Sequence, residues 1–473
     1  MRKTVLGKLL PLLLILFSLL LSPMSAFANS AQMHWQGTDS TGTIVTGREC
    51  PITVKREKLI FDIPEFPDSY YSSAESLAEY GASVTAVYEF YNPADYTVTA
   101  TLVFPFGGCP EYVSIYDEEL KRYVLPDDTE RYDVKINGEP TERILRHTLL
   151  RNSFDTEQEM KWLSDQRISV GLLTPDATVT VYEYAPEEGI VECYASCQFS
   201  GLGTLRNILM NANGYSLLEQ GTAELGAWLR AGSDRESITV YCIGEPIDGG
   251  LDWKMYESGA KKKQVEGEMT LVSTRTLTLA ELAMSKYAEG STVSETDWYN
   301  AVIREMSENG KDGGYIGNEI LLDPSGSFMR WYQYEITLEA GETLVNTVSA
   351  PIYPDIDGSF VPAKFSYTYL LSPAQRWAGF GSLDISIITP YHLLECSEPG
   401  WRKAVSGYAI GRDGLPFGEL EFTLCESDSP EKLITPYTVL GDVLMGFIIA
   451  GLAIATLALI ITPIIIIKHR RRR

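Results

Sequence analysis

Histidine and serine are the residue types in this chain whose spacing could support hydrolytic chemistry. Three histidines precede the apolar C-terminal segment, His34, His147 and His392, and they lie far apart in sequence. A zinc protease of the common type needs HExxH, which is not present. An α/β-hydrolase needs a GxSxG turn, whereas GFGSLD has glycine directly before Ser382. These patterns predict a protein that is not an enzyme.

Two short motifs come closer to known sites. Ser258 and Lys261 have SxxK spacing, but ESGAKKKQVEG is a charged loop and neither KTG nor SDN follows it. The segment DIDGS at 355–359 begins like a calcium loop. An EF-hand needs a glutamate at loop position twelve, where this chain has Ser366. We interpret YPDIDGSFVP as a hairpin turn with Gly358 at a positive φ, and we expect no metal and no cofactor.

Carboxylates could be catalytic without any local motif. The chain has 63 Asp and Glu residues, so pairs must occur in the folded protein. Two carboxyl groups about 5–10 Å apart can hydrolyse a glycosidic bond even when they are distant in sequence. An exported carboxylate-dependent hydrolase is therefore one alternative function, and two carboxylates facing each other in a deep cleft would be its signature.

Cysteine chemistry depends on pairing. The chain has seven cysteines, Cys50, Cys109, Cys193, Cys197, Cys242, Cys396 and Cys425. An odd number leaves at least one thiol unpaired. Cys193 and Cys197 form CxxxC, whereas thioredoxin-like redox sites have CxxC. A local disulfide and two small buried side chains both fit this pair.

Aromatic residues are the feature of the composition that points to a ligand. The segment CPEYVSIYDEELKRYVLP places Tyr112, Tyr116 and Tyr123 between strand-like runs. Exposed tyrosines offer flat surfaces to sugar rings and to partner proteins. We favour core or cross-strand packing for such residues in a β-sandwich, and the three tyrosines are the candidate ligand-facing residues as the alternative.

Both ends of the chain are apolar and carry positive charge. Residues 1–28 have a basic start, a short apolar run and a small-x-small site, which predicts a cleaved signal peptide. Residues 443–467 have no charged residue, and about 20 apolar residues suffice to cross a bilayer. The basic tail at 468–473 favours the cytoplasmic side. The sequence predicts a single-pass protein of the cell membrane, with residues 29–442 outside the cell.

The predicted exported part is strongly acidic. Three basic residues belong to the signal peptide and five to the tail, which leaves 31 Lys and Arg against 63 Asp and Glu. Such a surface repels nucleic acid and anionic lipid headgroups. The charge therefore argues against nucleic-acid binding and is compatible with a solvated surface in the cell envelope.

Alternation of apolar and polar residues predicts strands through most of the exported part. PITVKREKLIFDI and SITVYCIGEPI follow this pattern, and Asn137-Gly138 in YDVKINGEPTER is a hairpin signal. Two segments, SLLEQGTAELGAWLR and TLAELAMSKYA, have helical spacing, and a third short helix is expected in VSETDWYNAVIREMSENG. The last of these begins with a capping residue at Ser294 and ends at Asn309-Gly310.

Residues 84–106 read VTAVYEFYNPADYTVTATLVFPF, with a turn at 92–95 between two alternating runs. This strand–turn–strand resembles that of the vault/inter-alpha-trypsin (VIT) class of domains. Together with the region from Trp377 to Leu383, it is also similar to uncharacterised exported, membrane-anchored β-sandwich proteins of Gram-positive bacteria (Firmicutes). The resemblance implies a β-sandwich outside the cell and supplies no catalytic residue.

We expect residues 84–106 to form a hairpin at the centre of a sandwich. Thr97, Thr99 and Thr101 would face solvent, and Pro105 would end the pairing because it has no N–H to donate. The side chains expected to face the core are Val84, Ala86, Tyr88, Phe90, Val98, Ala100, Leu102 and Phe104.

The expected fold is mainly β (α+β), with two antiparallel β-sandwich-like units and a small helical middle segment. A weak similarity between LLTPDATVTVYEY and TLEAGETLVNTVS fits two related units, or two hairpins of one larger unit. The expected boundaries are 1–28 signal peptide, 29–200 N-terminal β-sandwich, 201–327 mixed α/β segment, 328–428 C-terminal β-sandwich, 429–442 linker, 443–467 transmembrane helix and 468–473 cytoplasmic tail.

The expected function is that of a cell-surface protein whose acidic ectodomain binds or scaffolds a component of the envelope, either a glycan or a protein. Its other partner is the lipid bilayer, through residues 443–467. Besides the hydrolase, an accessory subunit of a membrane complex is an alternative, because Gly446 and Gly451 could support helix packing within the span.

Overall fold

The computed structural model describes residues 31–38, 44–45, 50–67, 80–107, 115–117, 122–124, 131–150, 155–233, 235–247, 249–310, 314–325, 328–416 and 418–433. The expected signal peptide and membrane span lie outside these ranges. Among the described helices, none has the length and apolar character needed to cross a membrane.

The described part of the chain is mainly β, as expected, and contains thirty strands. In chain order they are β1 (Ala31–Thr38), β2 (Ile44–Val45), β3 (Thr53–Asp62), β4 (Ser83–Tyr91), β5 (Thr97–Gly107), β6 (Ile115–Asp117), β7 (Arg122–Val124), β8 (Asp133–Ile136), β9 (Glu139–Pro140), β10 (Ile144–Leu149), β11 (Thr178–Pro186), β12 (Glu192–Ser200), β13 (Arg206–Met210), β14 (Gly214–Glu219), β15 (Thr222–Arg230), β16 (Ile238–Gly244), β17 (Lys254–Tyr256), β18 (Met269–Thr278), β19 (Tyr315–Gly317), β20 (Phe328–Leu338), β21 (Thr343–Pro351), β22 (Asp355–Asp357), β23 (Phe360–Val361), β24 (Lys364–Tyr369), β25 (Phe380–Ile388), β26 (His392–Cys396), β27 (Arg402–Ala404), β28 (Gly407–Asp413), β29 (Leu420–Cys425) and β30 (Glu431–Lys432).

The described helices are few and short. They are α1 (Thr156–Met160), α2 (Leu279–Ala283), α3 (Glu295–Asn309) and two 3-10 helices at Glu319–Leu322 and Ser372–Arg376. The helix expected after Ser294 is confirmed as α3, since the Ser294 hydroxyl accepts the N–H of Asp297 and caps the helix. The helix expected in TLAELAMSKYA is confirmed only over α2, where Thr278 and Glu281 form a capping box.

The helix expected in SLLEQGTAELGAWLR is wrong, because this segment forms strands β14 and β15. The two strands pair antiparallel around Gly221, whose φ of +76° suits the turn. The reason is visible in the second half of the segment, where apolar side chains alternate with a period of two instead of following a helical spacing. The alternating residues are Ala223, Leu225, Ala227 and Leu229, and all four are buried.

Two large sheets form the first sandwich. One has the strand order β10-β20-β5-β1-β2 and is antiparallel throughout. The other has the order β27-β28-β25-β3-β4-β21-β8-β9, and only its β25–β3 pair is parallel. The sheets face each other, since the Asn346 side chain of β21 donates to the Tyr334 hydroxyl of β20 at 2.7 Å.

Residues 84–106 do not form the expected hairpin. β4 pairs with β3 and β21, whereas β5 pairs with β1 and β20 in the opposite sheet. The turn between them therefore carries the chain from one sheet to the other. All eight side chains expected in the core are buried there, because the alternation fixes which face is apolar but not which strand is the neighbour.

Pro105 does not end the pairing of β5. It lies opposite Trp331, and the ladder continues to Gly107 after a shift of register between Arg330 and Trp331. The shift gives the strand an irregularity at the position where proline cannot donate a hydrogen bond.

The segments 29–200 and 328–428 do not fold as two separate sandwiches. The chain crosses between the sheets at several places, and two of these crossings, at 92–96 and at 339–342, lie side by side. As a result β5 pairs with β20 and β4 pairs with β21. The N-terminal and C-terminal segments thus contribute neighbouring strands to one sandwich, because backbone pairing joins them along both sheets.

A second sandwich follows in the middle of the chain. Its sheets have the strand orders β18-β11-β16-β13-β19 and β14-β15-β12-β17, with an apolar core between them. The outer face of the first of these sheets is covered by α2 and α3. β11 and β12 belong to this sandwich, and not to the N-terminal unit in which they were expected.

Compact packing divides the described residues into two units. The first contains both sandwiches, with the described residues up to 355 and residues 367–390 and 396–422. The second contains 356–366, 391–395 and 423–433. Within the second unit β23 pairs antiparallel with β30, and Ser366 hydrogen bonds to Thr423 at 2.9 Å.

Candidate functional site

An open cavity of about 260 Å³ lies at one edge of the second sandwich. It is bounded by β15, by the connection from β15 to β16 and by the 3-10 helix that follows β19. Its lining is formed by Asn211, Ala227, Trp228, Leu229, Arg235, Ser237, Ile238, Thr239, Asn318, Glu319 and Ile320. Most of these side chains are polar, with one large aromatic ring among them.

Trp228 provides the aromatic wall of the cavity. Because side chains alternate along β15, Leu229 points into the sandwich core while Trp228 lies on the opposite face and is half-buried. The Tyr194 ring packs edge-on against Trp228, with centroids 5.6 Å apart. Tyr194 in turn lies over Gly226, where a Cβ atom would come within 2.5 Å of the ring carbon Cζ. The absence of a side chain at Gly226 is therefore what lets Tyr194 support the tryptophan.

Arg235 supplies the cationic wall of the cavity, and Asn213 holds it in place. Its side-chain oxygen accepts the main-chain N–H of Trp228 at 2.9 Å and the Nη1 of Arg235 at 3.2 Å. The Ser233 hydroxyl accepts the main-chain N–H of Arg235. Among the described residues, no carboxylate forms an ion pair with Arg235. The guanidinium therefore retains a positive charge that a ligand could meet.

Glu319 supplies the acidic wall. It begins the 3-10 helix after Asn318, whose side-chain oxygen accepts the N–H of Ile320 at 3.0 Å. The Glu319 carboxylate interacts with the hydroxyl of Tyr241, which also interacts with Arg275. Burial and the Glu319 charge together raise the pKa of Tyr241 to about 12, although Arg275 lowers it. Tyr241 therefore stays neutral and donates to Glu319.

The lining groups can form hydrogen bonds of both kinds. Amides donate and accept, Arg235 only donates, and Glu319 accepts. The Ser237 hydroxyl is engaged outside the cavity, where it donates to Glu183 at 3.3 Å. Neither a histidine nor a cysteine lines the described cavity, and no cluster of three metal-ligating residues is found in the described ranges. The arrangement suits binding of a small polar molecule.

The three tyrosines that are candidates for a ligand surface are only partly described. Tyr116 and Tyr123 lie directly opposite each other in the antiparallel ribbon of β6 and β7. Tyr112 lies outside the described residues. The structure thus brings two of the three together along the backbone, and their contact with a ligand stays a prediction.

The SxxK motif is not a nucleophile with its base. Lys261 forms an ion pair with Glu224 at 2.6 Å, and Glu224 also accepts the hydroxyl of Ser196 at 3.0 Å. Ser258 only accepts the main-chain N–H of Lys261 through its carbonyl. The motif is a turn whose lysine is already neutralised.

The DIDGS segment is a turn, but it is not the expected hairpin, because β22 and β23 belong to different sheets. Gly358 also does not have the positive φ expected of it. The Asp357 side chain accepts both the N–H and the hydroxyl of Ser359, at 3.0 and 2.6 Å. This Asx turn bends the chain without requiring glycine geometry.

Cysteine pairing is settled for six of the seven residues. Cys109 lies outside the described residues, and the other six are free thiols. Cys193 and Cys197 point to the same side of β12 and join Cys242 in the core of the second sandwich. Cys193 and Cys197 are therefore two small buried side chains, and they do not form a local disulfide.

Buried ion pairs fasten α1 and α3 to the first sandwich. Arg304 of α3 forms a bidentate pair with Glu159 of α1, with both contacts at 2.6 Å. Asp297 of α3 accepts from the Arg146 guanidinium and from the N–H of His147 at 2.9 Å, and so covers the open edge of β10. These carboxylates neutralise guanidinium groups, which favours a structural role over catalysis.

One carboxyl group lies inside the first sandwich. Glu57 of β3 is the cross-strand neighbour of Tyr88, whose partner on the other side is Asn346, and all three are fully buried. Burial raises the pKa of Glu57 to about 8, although the Tyr88 hydroxyl lowers it. The Glu57 carboxyl is therefore mainly protonated at neutral pH and adds no charge to a catalytic pair.

The cavity residues gave only weak signals in the sequence. Trp228 was assigned to a helix, and Arg235 and Glu319 stand in segments without a motif. The hairpin at Gly221 and the alternation after it were the signal that could have placed Trp228 on an outer sheet face. Arg235 and Glu319 are 84 positions apart, so their proximity depends on the fold alone.

No family model matches the chain, and no curated protein matches it. Among solved structures it is similar to a Legionella pneumophila protein for which nutrient binding has been suggested, with 10% identity, a TM-score of 0.30 and coverage of 85% of this chain and 72% of that chain. It is also similar to the structure of infectious bursal disease virus, with 7% identity, a TM-score of 0.06 and coverage of 89% and 72%. Similarities this weak support no argument on function.

Proposed function

We propose that this protein is an exported, membrane-anchored binding protein whose second sandwich binds a small polar ligand. The observation that carries the proposal is the cavity, in which Trp228 stands among a guanidinium, a carboxylate, amides and hydroxyls. Pockets of this kind orient a ligand with a few polar groups around an apolar surface. The expected signal peptide and membrane span support a position at the cell surface, where the ligand would come from the envelope or its surroundings.

Binding is better supported than catalysis. Glycoside hydrolysis requires two carboxyl groups on either side of the bond, and Glu319 is the single carboxylate among the described lining residues. The hydroxyl of Ser237 donates to Glu183, and not to a histidine that could activate it. These contacts favour recognition of a ligand without covalent chemistry.

The proposal is tested with the purified full-length protein in detergent. Calorimetric titration with single amino acids and with neutral monosaccharides is expected to reveal at least one ligand, and Trp228→Ala is expected to abolish its binding. Trp401→Ala is the matched control, because Trp401 is also half-buried but lies outside the cavity. Circular dichroism would confirm that both variants remain folded. Absence of binding to either class of ligand, or unchanged binding in Trp228→Ala, would overturn the proposal.

A further inference from the structure

Two opposite charges line the cavity without forming an ion pair with each other. Arg235 stands on the connection between β15 and β16, and Glu319 stands on the turn that follows β19. Within the described residues, neither side chain has an ion pair of its own. Charges that line one cavity and remain unpaired are available to a ligand.

The position of Arg235 is fixed by neutral groups. Asn213 accepts one guanidinium N–H and the main-chain N–H of Trp228, so the cation is tied to the strand that carries the aromatic wall. An amide oxygen orients the guanidinium without neutralising it. A ligand carboxylate could accept two parallel N–H bonds from such a group.

The position of Glu319 is fixed in a similar way. Its carboxylate interacts with the neutral hydroxyl of Tyr241, which leaves its negative charge uncompensated by direct contact. Arg275 interacts with the same Tyr241 hydroxyl but, in the described part of the chain, forms no ion pair with Glu319. A ligand ammonium group could therefore supply the missing positive charge.

The two charges discriminate between classes of ligand. A neutral sugar would leave both charges without a partner, and a simple anion would be attracted by Arg235 but repelled by Glu319. A ligand with one carboxylate and one ammonium group satisfies both. The volume of about 260 Å³ is below the range of about 300–1,000 Å³ for drug-sized ligands, so the ligand is small.

We infer that the cavity binds a zwitterion of the amino-acid class, with its carboxylate on Arg235, its ammonium group on Glu319 and its side chain against Trp228. This inference rests on the proposed function, because it assigns the ligand class of the same cavity. The observation behind the inference is the pair of unpaired charges, because they are complementary to the two charges of a free amino acid.

The test uses calorimetry on the full-length protein with the twenty free L-amino acids. For the amino acid that binds best, the N-acetyl derivative removes the cation and the amide removes the anion. Each derivative is expected to bind at least about tenfold more weakly, which corresponds to about 1.4 kcal/mol. Glucose, which carries neither charge, is expected not to bind.

Two variants assign each charge to its partner. Arg235→Gln should bind the free amino acid and its amide equally, and Glu319→Gln should bind the free amino acid and its N-acetyl derivative equally. Arg230→Gln is the matched control, because Arg230 is exposed and already paired with Glu192 at 3.0 Å. A structural defect alone would weaken all ligands together and would not produce this crossed pattern.

The possible failures can be told apart. Binding of glucose that depends on Trp228, without binding of amino acids, would overturn the zwitterion inference and leave the proposed function standing. Equal binding of the free amino acid and both blocked derivatives would also overturn the inference. Absence of binding by amino acids and glucose alike would overturn both.

Discussion

The side-chain amide of Asn92 donates to the carbonyl of Leu338 at 3.1 Å, across 246 residues of sequence. Asn92 begins the crossing from β4 to β5, and Leu338 ends β20 at the crossing to β21. The same amide also donates to the carbonyls of Tyr96 and Glu339, at 2.8 and 3.1 Å. One buried side chain therefore joins two of the places where the chain passes between the sheets.

Asn92→Ala is expected to lower the free energy of unfolding by about 2–4 kcal/mol, because buried carbonyls would lose their donor and each costs about 1–3 kcal/mol. Urea unfolding followed by tryptophan fluorescence measures this loss. Asn309→Ala, at the exposed end of α3, should stay within about 0.5 kcal/mol of the wild type. Similar losses in both variants would show that the crossings do not depend on Asn92.

Arg304→Met should destabilise the protein by about 3–5 kcal/mol, because it leaves the Glu159 carboxylate buried without its partner. The double variant Arg304→Met/Glu159→Met should recover a large part of this loss, since no unpaired charge remains. Unfolding free energies of the two single variants and the double variant form the cycle that measures the coupling. Additive losses would contradict a coupled pair.

Glu57 should make the protein less stable as pH rises. Its pKa is 4.5 in the unfolded chain and about 8 in the folded one, so between these values only the folded state keeps the proton. The unfolding free energy should therefore fall with pH by up to about 1.4 kcal/mol per pH unit. Glu57→Gln should remove this slope, while Glu335→Gln on an exposed position of β20 should retain it. An unchanged slope in Glu57→Gln would contradict the buried neutral carboxyl.

The titration of His147 should make the protein less stable as pH falls. Burial, together with the charges of Arg330 and Arg146, lowers the pKa of His147 from 6.5 to about 3. As pH falls from 6.5 to 3 the unfolded state gains a proton that the folded state does not, and stability decreases. His147→Phe should remove this loss in a series of unfolding curves recorded between pH 7 and pH 4. A variant with the same acid sensitivity as the wild type would rule out this histidine as the cause.

Gly226→Ala should disturb the wall of the cavity, because its Cβ would collide with the ring of Tyr194 that packs against Trp228. We expect a loss of about 1–3 kcal/mol in stability, with a shift in tryptophan emission. Gly259→Ala is the matched control, since its Cβ would lie at an ordinary 3.7 Å from the same ring. Equal spectra for the two variants would mean that Tyr194 does not hold Trp228.

Local patterns predicted those elements whose causes lie within a few residues. Asn137 and Gly138 both have positive φ in the hairpin between β8 and β9, as their dipeptide indicated. The cap at Ser294 marked the start of α3. The alternation in 84–106 identified all eight buried side chains. The segment that contains Trp228 fits both a helical spacing and the alternation of a strand, and the prediction of a helix there was wrong.

The sequence by itself thus determined the mainly β character, several turns, the start of the longest described helix and the inward faces of β4 and β5. Only the tertiary structure decided that β4 and β5 lie in opposite sheets and that the first and last parts of the described chain contribute strands to one sandwich. It also decided that Arg235 and Glu319 line the same cavity. The physical reason is that alternation records burial, whereas the identity of a neighbouring strand depends on hydrogen bonds between residues hundreds of positions apart.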